Sequence, residues 1–238
     1  EEQVAFFVET EDVLTKARDL NPLNTDHSAN LARFYKSWAA RISMDMENAG
    51  ETERPALETQ RQALLRKSLE NYELALMLSP NNPIIWNELA QLYAIDFGDD
   101  LQFRGTISKS LEVDDRFEQT WMLLGDMRSS KGDLAGAVEA YRTSLEIRNN
   151  CTVWRVMGTL QAQQELWAEA AASLAEGAEK CATSSELWDI YRVQAIAYAN
   201  LGQVDAALQT AALSLQAAPE AQKETVEQLI DQLQDQFT

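Results

Sequence analysis

One histidine limits the chemistry that this 238-residue chain can perform. His27 sits in Asn21-Pro22-Leu23-Asn24-Thr25-Asp26-His27, at a predicted helix start where backbone N–H groups point outward. Two readings fit it. Asn24, Asp26 and His27 could form a small polar site for a glycan or a metal, or they could be a capping turn whose side chains satisfy backbone donors. The capping turn needs no further partner and is the expected one. A single histidine excludes paired-histidine acid-base schemes and His-rich metal sites. No Gly-rich phosphate loop, GxSxG elbow or HExxH motif occurs. The carboxylate pairs Asp99-Asp100 and Asp114-Asp115 fall at predicted turns, where they cap helices rather than act as an acid and a base. No catalytic, cofactor-binding or metal residue is assigned.

Bulk properties narrow the partners. The chain carries 38 acidic against 20 basic residues, a formal charge of -18, which repels nucleic-acid backbones and anionic membrane. Such acidity also keeps a repetitive surface solvated. No apolar run approaches the roughly 18 residues of a membrane span, and no signal-peptide pattern opens the chain. The expectation is a soluble piece, cytoplasmic unless its parent is a membrane protein. Because it starts at Glu1 without a methionine, it is expected to derive from something longer.

Any site must be positioned by helices, because the apolar spacing is helical almost throughout. Trp121, Leu124 and Gly125 lie on one helical face, and Ala137, Tyr141 and Ser144 on a second, across the turn Lys131-Gly132-Asp133. Gly125 and Ala137 are small where two helices approach; Trp121 and Tyr141 fill the wider gap. Tryptophan recurs at Trp86, Trp121, Trp154 and Trp188, spaced by 35, 33 and 34 residues. One such hairpin cannot bury its apolar face alone, so neighbours must stack on it. The segments are a half unit at 1–22, an extended unit at 25–80, units at 82–115, 118–150, 151–184 and 188–219, and a closing helix at 220–238.

Several local expectations follow. The first helix buries Val4, Phe7, Val8, Leu14 and Ala17, and Thr25 or Asp26 caps the second. The extended unit has two long helices joined near Asn48-Ala49-Gly50-Glu51, and its outer end projects as a hairpin with Met44, Met46, Leu57 and Leu64 along the seam. The extra residue between Trp86 and Trp121 falls at Asp96-Phe97-Gly98-Asp99. The closing helix buries Val226, Leu229, Ile230 and Leu233 and turns a polar face outward, as a terminal cap must. Cys151 opens the first helix of its unit and Cys181 ends the second, so the two meet on one side of the layer. They are either free buried thiols or a disulfide, which requires a Cα separation below about 7 Å.

The order Trp121-x-x-Leu124-Gly125, Ala137-x-x-x-Tyr141 resembles the tetratricopeptide repeat (TPR), whose pattern W-x2-L-G-x2-Y, A-x3-F, P spans about 34 residues as a helix-turn-helix. The resemblance implies an all-α, right-handed TPR superhelix of about five repeats, with a leading half repeat and a C-terminal capping helix. It also implies a non-catalytic scaffold whose concave wall of first-helix residues takes a peptide or helix from a protein partner. Carried over, the wall is Asn30, Arg33 and Lys36; Asn87, Glu88 and Gln91; Met122, Leu123 and Asp126; Arg155, Thr159 and Gln163; and Arg192 and Ile196. Arg33, Arg155 and Arg192 either concentrate positive charge there or pair with Glu88, Asp126 and other neighbours. The Lys-Asn combination that grips a chaperone carboxylate in some family members is absent.

Leu20-Asn21-Pro22-Leu23-Asn24-Thr25-Asp26-His27-Ser28-Ala29-Asn30-Leu31-Ala32-Arg33-Phe34-Tyr35, with Ser79-Pro80-Asn81-Asn82-Pro83-Ile84-Ile85-Trp86-Asn87-Glu88-Leu89-Ala90, is similar to the soluble repeat tail of some bacterial O-antigen ligase-like membrane proteins. That resemblance implies a parent concerned with envelope glycans, whose chemistry lies outside these residues. A homodimer formed through the hairpin at 38–68 is the structural alternative.

Overall fold

A computed structural model describes residues 2–236, with side chains from Ala5 onward. Val4, expected in the core of the first helix, therefore lies outside the described side chains. The described residues form twelve α-helices and no strand, the all-α class expected from the sequence. They divide into two compact units, Glu1–Asp115 and Arg116–Thr238.

The first unit holds α1 (Glu2–Leu20), α2 (Thr25–Asn48), α3 (Arg54–Leu78), α4 (Pro83–Gln91) and α5 (Asp100–Val113). Helix α1 docks through aromatic stacking: Phe7 lies 5.2 Å from the Trp38 ring at 9°. Leu14 joins that contact, but Val8 is mostly exposed and is not part of it. The cap of α2 is Asn24, one residue before the two expected: its side chain accepts from the Asp26 N–H at 2.9 Å. α2 and α3 are both long, as the extra sequence requires, and Pro55 stands in the first turn of α3, where its missing N–H costs nothing. Leu64 is buried and Met46 and Leu57 pack against the core, whereas Met44 points to solvent.

The inserted residue between Trp86 and Trp121 is accommodated differently from expectation. After Gln91 the helix widens into a π-turn, Leu92–Phe97, which fits one additional residue without breaking the chain direction. Gly98 ends it at φ 64, a left-handed conformation that glycine adopts without penalty. Asp99 then caps α5 by accepting from Gln102 N–H at 3.0 Å. Asp114 follows the end of α5 at its C-cap, and the N-cap position of α6 is Phe117.

The second unit holds α6 (Glu118–Ser130), α7 (Leu134–Ile147), α8 (Cys151–Gln163), α9 (Trp167–Lys180), α10 (Leu187–Asn200), α11 (Val204–Ala217) and α12 (Glu220–Gln236). Gly125 lies where α6 meets α7: an added Cβ would stand 2.7 Å from the Tyr141 ring. Ala137 is fully buried. α12 buries Val226 and Leu233, packs Leu229 and Ile230 at the margin, and turns its charged residues outward.

A buried serine on the second helix ties three hairpins to their first helix, near the helix end at Ser110 and Ser214 and mid-helix at Ser68. Ser68 donates to Ala32 O at 2.8 Å, Ser110 to Pro83 O at 3.4 Å and Ser214 to Trp188 O at 2.7 Å. Each is fully buried, and a hydroxyl there is tolerated because it finds this acceptor. Ser144 is fully buried too, but its Oγ has no partner among the described residues.

Buried phenols give the fold an alkaline limit. Burial, and then its hydrogen bond to Glu11, pushes Tyr35 up to about 12. Burial raises Tyr72, helped by the Glu88 charge, and Tyr141, helped by its 2.6 Å hydrogen bond to Asp126. A raised phenol contributes stability that is fully present below the unfolded value near 10 and is lost as pH rises through the folded value. We expect an absorbance titration to leave these three of the six tyrosines un-ionised between roughly pH 9 and 11, and to release them with unfolding above that range. Simple titration of all six near pH 10 would contradict it.

Candidate partner-binding walls

In the first unit, Arg33 on α2 faces α4. Its Nε reaches both Glu88 oxygens, at 2.9 and 3.0 Å, and its Nη1 donates to Asn30 Oδ1 at 2.9 Å. The Glu88 charge holds the Arg33 guanidinium above its ordinary value, although burial acts against this most strongly. Lys36, one turn further along α2, stands 3.8 Å from Asp96 in the π-turn. Asp96 Oδ2 is buried without a hydrogen bond, and burial raises its carboxyl above the usual range while Lys36 and Arg61 pull it back. Asn30 is exposed and Gln91 half-buried, but Asn87 is buried and lines no open wall.

In the second unit the candidate residues of α8 and α10 form one charge cluster. Arg155 Nε is 2.7 Å from Glu186 and its Nη1 is 3.4 Å from Asp189; Arg192 Nε is 2.6 Å from the other Asp189 oxygen. These guanidiniums keep roughly a third of their surface in solvent and keep donor edges that the carboxylates do not use. Thr159 is turned inward along α8 and donates to Arg155 O, while Gln163 is exposed and Ile196 half-exposed. Asp126 accepts from Tyr141 and is not an arginine partner.

Two residues assigned to this wall are corrected. Leu123 is buried, and Met122 packs against the core, so neither is the exposed apolar contact expected from its motif position. The offset from Trp121 places both residues on the first helix, but rotation of α6 towards its neighbours decides which of its sides is covered.

The remaining sequence candidates fall into place. Asp26 is exposed, His27 is half-buried with its backbone N–H on Asn24 O, and the turn works as a cap. Among the described residues, no group of three or more His, Cys, Asp or Glu is arranged to hold a metal ion. Cys151 and Cys181 are joined as a disulfide with a Cα separation of 5.7 Å, which decides between bridge and free thiols. Among the described residues no helix is long and apolar enough to cross a membrane.

Residues 118–151 match the family model described as tetratricopeptide repeat. No curated protein sequence matches the chain. Among solved structures, MamA shares a TM-score of 0.53 at 16% identity, covering 67% of this chain and 92% of that one. YrrB, described as a TPR protein with an unusual peptide-binding site, gives 0.55 at 17% identity over 87% of this chain and 93% of its own. Yeast Tom70 gives 0.58 at 13% identity over 97% of this chain and 59% of its own. At these identities the likeness is one of fold, helix pairs like those of tetratricopeptide-repeat structures, and the family match itself covers residues 118–151.

Proposed function

We propose that the chain is a non-catalytic scaffold whose first-helix walls hold a peptide or helix from a protein partner. The observation that carries this reading is the α8–α10 cluster, where Arg155 and Arg192 share Asp189 yet keep unused donor edges, with the half-exposed Ile196 one turn along α10 from Arg192. Two carboxylates already neutralise those arginines, so the wall suits backbone carbonyls and apolar side chains better than a free carboxylate. Charge repulsion by the acidic surface argues against nucleic acid.

The test is a random-peptide display library selected against the intact chain. The selected peptides should lose at least tenfold in affinity for Arg155→Ala/Arg192→Ala, measured by calorimetry. Unchanged affinity in that variant would remove the wall from the proposal.

A second reading is a homodimer through the outer end of the α2–α3 hairpin, favoured by the exposed Met44. Sedimentation that does not change with concentration would exclude it. The parent-protein reading, a soluble tail of an O-antigen ligase-like membrane protein, is supported by the segments 20–35 and 79–90, which form the turns entering α2 and α4. Hydrophobic spans encoded in the same reading frame would support it, and their absence would defeat it. A glycan or metal site at Asp26 and His27 has only the sequence pattern behind it, and unchanged activity of the parent in His27→Ala would dispose of it.

A further inference from the structure

The first unit has a cleft away from the Arg33–Glu88 wall, open between α3 and α5 and floored by α4. Leu76 and Met77 come from α3, Trp86 and Leu89 from α4, Tyr93 from the π-turn and Thr106 from α5. Met77 is 71% exposed, although its neighbours Leu76 and Leu89 are buried. Trp86 has spent its one donor on Pro80 O at 2.7 Å, so what it offers the cleft is apolar ring surface. Thr106 likewise turns its hydroxyl to Gln102 O within its own helix and presents its methyl side. Tyr93, at the start of the π-turn, follows Trp86 and Leu89 at helical spacing and completes the lining.

The rim carries one sign of charge. Glu73 lines the opening, and no Lys or Arg does so. Burial raises the Tyr93 phenol first, and the Glu73 and Asp99 charges raise it further. An apolar floor under a negative rim repels an acidic segment and leaves a neutral one without orientation. A segment with one apolar anchor flanked by lysine or arginine satisfies both parts.

We infer that this cleft is a second docking site, for a basic peptide segment that inserts one aliphatic side chain between Met77 and Trp86 and sets a flanking cation against Glu73. The site lies in the first unit and does not depend on the arginine walls.

The probe is acetyl-Lys-Leu-Lys-amide titrated at millimolar concentration into the full chain labelled for NMR, with acetyl-Glu-Leu-Glu-amide as the charge-reversed control. The Met77 methyl and Trp86 indole signals should shift and saturate with the basic peptide, less so as salt is raised. The acidic peptide should not move them. Glu73→Lys should weaken binding severalfold and Met77→Glu should abolish it; both positions are exposed, so the fold is retained. Arg155→Ala/Arg192→Ala should leave this response intact, which separates failure here from failure of the wall. An equal response to the acidic peptide, no response to either, or indifference to Met77→Glu overturns the inference.

Discussion

Replacing Cys151 and Cys181 together by serine should lower the unfolding free energy of the second unit by about 3–4 kcal/mol on the chain-entropy model, because the bridge closes a loop of 30 residues. The geometry makes the bridge more than an accidental approach of two thiols. Cys151 is the first residue of α8 and Cys181 immediately follows α9, so the bond ties the open end of that hairpin. In two other hairpins the same end is tied by a serine hydroxyl, through Ser110 and Ser214. At the corresponding place in α9, its eleventh residue, stands Gly177, which has no hydroxyl to offer. A covalent link four residues further on, at Cys181, replaces the missing hydrogen bond. Asn149 reinforces the site by accepting from Trp154 Nε1 at 2.8 Å and donating to Lys180 O at 3.3 Å.

Denaturation with and without a reducing agent measures the effect, and the serine variant should coincide with the reduced protein. A transition unmoved by reduction would mean that the bond is not formed in solution. A smaller shift, near the roughly 1 kcal/mol of one ordinary hydrogen bond, would mean that the reduced hairpin stays closed through packing alone.

Much of the architecture was legible because the repeat places large and small residues at fixed offsets. Trp86, Trp121 and Trp154 each occupy the fourth residue of a first helix, as their spacing implied. Helix lengths in the extended hairpin followed from Asn48–Glu51 and Pro55, which are strong local signals. What the sequence did not reveal depends on rotation and backbone register. The π-turn has no residue signature of its own: the surplus residue could have formed a longer turn at Asp96–Asp99, and only the hydrogen-bond register distinguishes the two. Asn87 and Leu123 share the wall offset of truly exposed residues and are covered only because of how α4 and α6 sit among their neighbours. The arginine partners were half visible. Glu88 was named among the neighbours the three arginines could pair with, and it meets Arg33, whereas Glu186 and Asp189 lie 31 and 34 residues beyond Arg155 and meet it only when consecutive first helices align. The cleft at Trp86 left no trace, since its lining residues read individually as core.

The closest approach between α8 and α9 offers the sharpest test of the packing. Leu174 is fully buried, and Leu174→Ala should destabilise by about 2–5 kcal/mol, the range for deleting a buried leucine side chain. Gly158 lies directly beneath it: an added Cβ would stand 2.5 Å from Leu174 Cδ2 and 2.9 Å from Cδ1, too close for any real contact. Gly158→Ala alone should therefore cost about 1–3 kcal/mol from overpacking, despite the gain of roughly 1 kcal/mol that alanine brings to a helix interior. The two costs should not add. All three of the nearest atoms to the new Cβ belong to the Leu174 side chain, so Leu174→Ala removes the obstruction and leaves a space that the new methyl partly fills. In that background Gly158→Ala should be neutral or stabilising, a coupling of at least about 1 kcal/mol in a double-mutant cycle. Additive losses would show that the backbones of α8 and α9, and not this one side chain, require glycine at 158.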